Sequence, residues 1–181
     1  LSVLLKNSTG SLSLTVIIWF MWVVFLPKMI GNTVEKLVPL PTRVEFQNTM
    51  SDDRAQGIDG HNPSNERQAQ LLKETLIKYG VTSLSELPVN FQGVLMQADE
   101  EYGNGVWDKH FGKLYLQLQK QKNIYQLSGV FNPFAALHSL SMGAAGTDMF
   151  HHLHFLRQAE NYRRTFIKEL NNKLRDGGWD K

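Results

Sequence analysis

No charged side chain lies between Lys6 and Lys28, and within that gap runs SLSLTVIIWFMWVVFLP, almost wholly apolar from Leu12 to Leu26. This stretch constrains the chain more than any other. A helix rises about 1.5 Å per residue, so roughly 20 uncharged residues cross a hydrocarbon core of about 30 Å. Three readings compete: a transmembrane helix, a cleaved signal peptide and a buried core helix. The run is at the long end for a signal peptide, and no small-x-small cleavage site follows it. It is apolar on every face, whereas a packed helix of a soluble domain carries a polar stripe. The transmembrane reading is therefore preferred, with Pro27 and Lys28 as the exit at the interface. Trp19 and Trp22 lie inside the run rather than at its ends, unlike a typical aromatic belt.

Orientation by charge is weak. Lys6 stands on one side, with Lys28, Lys36 and Arg43 on the other, diluted by Glu35 and Glu45. Taken literally, this bias places the rest of the chain in the cytoplasm. The 181 residues suffice for one ordinary domain plus an anchor. The first residue is Leu1 rather than Met, and an upstream segment is expected to be missing. A formal net charge of +2 with 20% charged residues gives no clustered basic face for nucleic acid. The absence of cysteine excludes disulfides, Cys-ligated metal sites and a thiol nucleophile.

The remainder reads as helical. Pro39 and Pro41 mark a linker, and Thr42 with Glu45 forms a capping box for a helix to about Gln56. GIDGHNPSN is a loop. A helix then starts at Pro63 or Ser64, carries Leu71, Leu72, Leu76 and Ile77 as its apolar stripe, and stops at Gly80. Ser83 and Glu86 box a short turn. Residues 94–128 read as helix although Gly103, Gly105 and Gly112 weaken the middle and LYLQLQ alternates like a strand. Asn132 and Pro133 open a helix to about Met142, with Gly143 and Gly146 interrupting. Thr147 caps a last helix to about Leu174. The expected organisation is all-α: a pre-membrane segment 1–10, a transmembrane helix 11–28, a linker 29–42, an irregular helical bundle 43–174 and a loose tail 175–181.

Three constellations are candidates for chemistry. His151, His152 and His154 suggest a metal, but successive helical residues turn by about 100°, so one helix cannot aim all three at one ion. His151 and His154 remain a weak metal-ligating pair, and His152 shares a face with Met149, Leu156 and Ala159, as a core histidine would. Asp99, Glu100, Glu101, Asp108 and His110 offer carboxylates and an imidazole for acid–base work, or simply a solvated acidic helix. Glu160 with Arg163 and Arg164 has the spacing of intrahelical salt bridges, at the edge of a stripe of Leu153, Leu156, Phe166, Ile167, Leu170 and Leu174. There is no G-x-S-x-G, HExxH, phosphate loop or dinucleotide fingerprint.

The ordered runs PLPTRVEF, the helix ending KYGV, LPVNFQGVLMQADEEYGN, VWDKHFGKLYLQLQKQ and NPFAALHSLSMGAAGTDMFHHLHFLRQAENYRRTFIKELN follow an apolar segment closed by Pro. Together they resemble the DUF3526 family of ABC-2-type transporter permease subunits. The resemblance implies a non-catalytic C-terminal piece of a permease in the bacterial inner membrane. It implies missing upstream helices, a further membrane segment after Trp179 and, against the charge bias, an extracytoplasmic helical domain. Its partners would be lipid, further permease helices and a separate ATPase subunit, and no cofactor or nucleic acid is implied. Asn90, Gly93, Glu101, Asp148, Glu160 and Arg164 stand as structural or partner-facing candidates. The alternatives are an anchored sensor or metal- or ligand-binding domain, and an anchored hydrolase using Glu100, Glu101 and His110.

Overall fold

The structure, a computed structural model, describes residues 7–130 and 132–177. Among these the fold is all-α, with one long apolar N-terminal helix followed by a helical domain. Lys6 and Trp179 lie outside the described residues, as do most of the expected pre-membrane segment and of the tail.

The N-terminal helix is continuous from Ser8 to Leu37 in three parts: α1 (Ser8–Phe20), a π-helical turn (Met21–Phe25) and α2 (Leu26–Leu37). Pro27 explains the middle part. It has no N–H to donate, and its ring crowds the carbonyl four residues back. The chain responds by widening the preceding turn, so that the Leu26 N–H donates to Met21 O, five residues back. The helix therefore absorbs Pro27 and runs past the expected exit at Lys28, leaving a linker of only a few residues before Thr42. Thr42 caps α3 (Arg43–Gln56) with the full capping box to Glu45. Next comes α4 (Ser64–Tyr79), closed by Gly80 in the left-handed conformation. A 3-10 turn (Leu84–Glu86) precedes α5 (Phe91–Ser128), α6 (Pro133–Ala144) and α7 (Met149–Arg175).

Several local expectations are corrected. The Glu86 carboxylate draws in the Thr82 N–H and hydroxyl besides the expected partner Ser83. The cap of α7 is Asp148, which accepts the His151 N–H at 3.0 Å, whereas the Thr147 hydroxyl turns back to Met142 O. LYLQLQ is helical, and α5 passes unbroken through Gly93, Gly103, Gly105 and Gly112. At Gly103 the missing side chain has a use: a Cβ would come within 2.5 Å of the Arg54 guanidinium.

Two compact units emerge. The first holds α1, the π turn, α2, α5 from Leu114 onward, α6 and the start of α7. Here Gln117 and Gln121 donate to the Pro39 and Val38 carbonyls, tying the end of α2 to α5. The second holds α3, α4, α5 up to Lys113, and α7 from Leu153. In it α7 lies antiparallel to α5, since residues 163, 171 and 175 meet residues 100, 97 and 90 in turn. The stripe of Leu153, Leu156, Ile167, Leu170 and Leu174 is half-buried, but Phe166 is exposed and Glu160 sits on the stripe rather than beside it. On α4, Ile77 is exposed and Thr75 takes the buried place. His152 is exposed, not a core histidine. Among the described residues only Val34, Val106 and Ala135 are fully buried apolar side chains, beside the polar Thr75, Asn132 and Asn171.

Candidate functional site

The α5–α7 seam is where most charge converges. Periodicity builds it: Glu160 with Arg163 and Arg164 on α7 face Gln97, Glu100, Asn104 and Asp108 on α5, each set spaced by three or four residues. Arg163 donates to both Glu160 oxygens, at 2.8 and 2.9 Å, to Asn104 Oδ1 at 2.7 Å, and to Glu100. Arg164 donates to Glu160 at 2.8 Å and grips Asp108 through two nitrogens at 2.6 and 3.0 Å. Its guanidinium also stands over the Trp107 ring, 5.5 Å from the centroid. Arg163 first, and then Arg164, hold the Glu160 carboxyl down at about 2, against the opposing effect of burial. Both arginine pKa values are raised in return, Arg163 chiefly by Glu160 and Arg164 chiefly by Asp108. The seam continues as a string of amides: buried Asn171 donates to Gln97, and Gln97 to exposed Glu101. It ends where the Asn90 N–H donates to Arg175 O at 2.8 Å, with Asn90 Oδ1 capping α5 through Gln92. Gly93 is buried there, and a Cβ on it would meet Arg175 N at 2.4 Å.

A second cluster fixes α3 and its following loop to α5. Asp53 accepts from Lys109 at 2.6 Å and from His110 at 2.8 Å. Lys109 first, then His110, lowers the Asp53 pKa against burial. Phe46 meets His110 and Phe111 edge-on, and Phe111 stacks on Trp107 at 4.5 Å. The loop is held at Ile58, whose N–H donates to Tyr102 Oη at 2.7 Å and whose carbonyl accepts from Lys109. Beside it lies an open groove of about 440 Å³ lined by Arg54, Ser64, Arg67, Gln68, Asp99 and Tyr102. The Arg67 guanidinium is already engaged there, 3.7 Å over the Tyr102 ring and bonded to the Arg54 and Asn62 carbonyls.

Of the acidic set of α5, Glu100 and Asp108 join the arginine network of the seam, and Asp99 and Glu101 turn to other partners. Asp99 meets Gln68, Glu100 meets Arg163, Glu101 meets Gln97, Asp108 meets Arg164 and His110 meets Asp53. His151 pairs with Asp148, and His152 and His154 are exposed. The His151 backbone N–H, and then its side chain, lowers the Asp148 pKa. Among the described residues no three His, Asp or Glu side chains are grouped to hold a metal ion. Sequence reasoning found Glu160, Arg163 and Arg164 but missed Asp53, Asn104 and Asn171. Their partners lie 57, 59 and 74 positions away, and no local spacing announces them.

A family model described as a domain of unknown function, DUF3526, matches residues 43–179. The match begins at the first residue of α3 and leaves the apolar N-terminal helix outside it. Neither the curated proteins nor the solved structures contain a match. Spanning the seam, the Asp53 cluster and α6 alike, the family match leads to a plain conclusion: the chain belongs to the DUF3526 family.

Proposed function

We propose that this chain is a membrane-anchored, non-catalytic permease subunit of an ABC-type exporter, presenting its helical domain on the extracytoplasmic side of a bacterial inner membrane. The observation that carries the anchor is the helix Ser8–Leu37. It has 30 residues, so it is about 45 Å long, and none of its most apolar window is buried. Trp19, Phe20 and Trp22 are about half exposed, as are Ile17 and Phe25, so the apolar surface faces outward on all sides. Water disfavours a patch of that size, and a bilayer accepts it. The non-catalytic reading is supported by the state of the carboxylates. Those of the seam are clamped by arginine, and Glu160 is held ionised far below neutrality, whereas a general acid or base works best with a pKa near the working pH. The exporter and the orientation rest on the resemblance of the ordered sequence runs to ABC-2-type permeases. ATP hydrolysis belongs, in this reading, to a separate subunit with a phosphate loop.

These 181 residues contain no cysteine, so a single cysteine placed in them is the only thiol once any cysteine elsewhere in the full-length protein is replaced by serine. Lys73→Cys, on the exposed side of α4, is introduced into the full-length protein in intact cells. A membrane-impermeant maleimide is expected to label it without lysis. Labelling that requires lysis overturns the orientation, and quantitative release of the protein from membranes by carbonate overturns the anchor. Purification with a Walker-motif ATPase whose turnover depends on this subunit is expected; ATP hydrolysis and export undiminished without the subunit exclude the permease role.

A further inference from the structure

A second stretch, residues 123–147, carries no Asp, Glu, Lys or Arg, and it folds into the end of α5, a tight turn and α6. The sidedness of α6 is inverted relative to a water-soluble helix. Its inner face is small: Ala135 is buried, Ala136 packs where a Cβ on Gly129 would meet it at 3.5 Å, and the Ser139 hydroxyl accepts from Gln126. Its outer face carries large apolar side chains, with Phe134 54%, Leu137 66% and Leu140 72% exposed, next to exposed Ser141 and to His138, which stacks on Phe134. Leu127 and Val130, just before the turn, are 72% and 77% exposed.

The position of this face relative to the long apolar helix tells what covers it, because both lie in one compact unit. Gln117 bonds Pro39 O and Gln121 bonds Val38 O, so α5 passes the end of α2 in the opposite sense. Seven further residues take α5 to Ser128, about 10 Å on, level with about Gly31. Shielding of α2 agrees: Val23, Leu26, Ile30 and Val34 form a stripe that is half-buried or buried, whereas residues 12–22 are exposed on every side. The turn before α6 thus lies within about one helical turn of Lys28, where the apolar run ends. With 12 residues, α6 is too short to cross a bilayer, which takes about 20. At the level where the apolar run gives way to Lys28, the exposed Phe134, Leu137 and Leu140 of an uncharged helix are within reach of acyl chains, which take up apolar surface that water disfavours.

We propose that α6 is a second membrane element, lying in the lipid interface with Phe134, Leu137 and Leu140 among the outer acyl chains. The occupant of this face is lipid, not protein. The proposal rests on the reading that Ser8–Leu37 crosses the membrane. It gives the compact unit that holds the anchor a second point of contact with the lipid.

The experiment uses single cysteines at Ile17, Lys73 and Leu137 of the full-length protein, each carrying a polarity-sensitive fluorophore, in vesicles of ordinary or brominated phosphatidylcholine. All three sites are exposed, so substitution leaves the packing intact. The Leu137 probe is expected to emit blue-shifted from the Lys73 probe. It is also expected to lose intensity in lipid brominated near the headgroup and to resist aqueous iodide, with Leu140→Cys behaving alike. Iodide quenching at Leu137 equal to that at Lys73 overturns the proposal, as does quenching by neither agent, which marks a protein partner. Ile17 separates the two readings. If brominated lipid quenches Ile17 but not Leu137, only the α6 proposal falls; if aqueous iodide quenches Ile17 and brominated lipid does not, the anchor falls first.

Discussion

Glu160 carries a larger share of the domain's stability than its charge alone suggests, because two arginines meet on it. Its folded-state pKa of about 2 lies below the ordinary value of 4.5. The stabilisation is therefore complete above about pH 4.5 and fades as the pH falls toward 2. A shift of that size is worth about 3 kcal/mol if unscreened. Arg163 is 40% exposed, so solvent screening reduces the expectation to about 1–2 kcal/mol. Glu160→Gln is expected to lower the urea midpoint at pH 7, and to flatten the loss of stability that the native chain shows between pH 4.5 and 2.5. A native acid limb in the variant would assign that limb to another carboxylate. At this scale the sequence was informative where partners are local. The i,i+3 and i,i+4 spacings of Glu160, Arg163 and Arg164 and the Thr42 box of Glu45 were all readable in advance. It was silent about Asn171 with Gln97 and Asp53 with His110, because nothing in a linear spacing encodes which helices lie side by side.

Elements were legible through their punctuation. Asn132–Pro133 and Gly80 place helix ends where the structure has them, since caps act through neighbouring backbone groups. The length of α5 was harder: four glycines inside one helix argue against it on propensity, and tertiary contacts override that preference. Gly93 shows what such a contact demands. An alanine Cβ there would stand 2.4 Å and 2.6 Å from the Arg175 N and Cα, and backbone cannot swing aside as a side-chain tip does. Gly93→Ala is expected to cost about 2–3 kcal/mol by forcing α5 and α7 apart. Gly112→Ala, where nothing stands within 4 Å, is expected to stabilise the same helix by up to about 1 kcal/mol. Chemical denaturation of both variants in detergent checks the pair, and equal effects would remove the close approach as the reason for Gly93.

For the whole molecule, the long apolar helix was legible from its lack of charge, but the inverted face of α6 was not. Asn132 and Pro133 announce the helix PFAALHSLSMGA, but no polar stripe in it marks which side faces outward, and only the fold turns its small residues inward. A chain lacking residues 1–37 is expected to keep the helical signal of α3, α4, α5 and α7. It is also expected to associate in water, because the face of Phe134, Leu137 and Leu140 stays uncovered. Circular dichroism and sedimentation measure the two properties separately. Replacing those three residues by Ser or Gln in the shortened chain is expected to restore a monomer. Loss of the helical signal would instead make the N-terminal helix part of the domain's core.

The π turn before Pro27 has a consequence of phase. A π turn fits one more residue into its height than an α-helix does, so everything upstream is rotated about the axis by about 100°, one residue's worth. Pro27 therefore sets the azimuth at which Trp19, Ile17 and Leu12 look out from a helix whose other end is fixed to α5 by Gln121. A substitution at Pro27 that restores ordinary α winding turns the outer half like a key. Deleting one residue within 21–25 at the same time leaves the rise and resets the bearing, making the direction faced by α1 a quantity a single residue can dial.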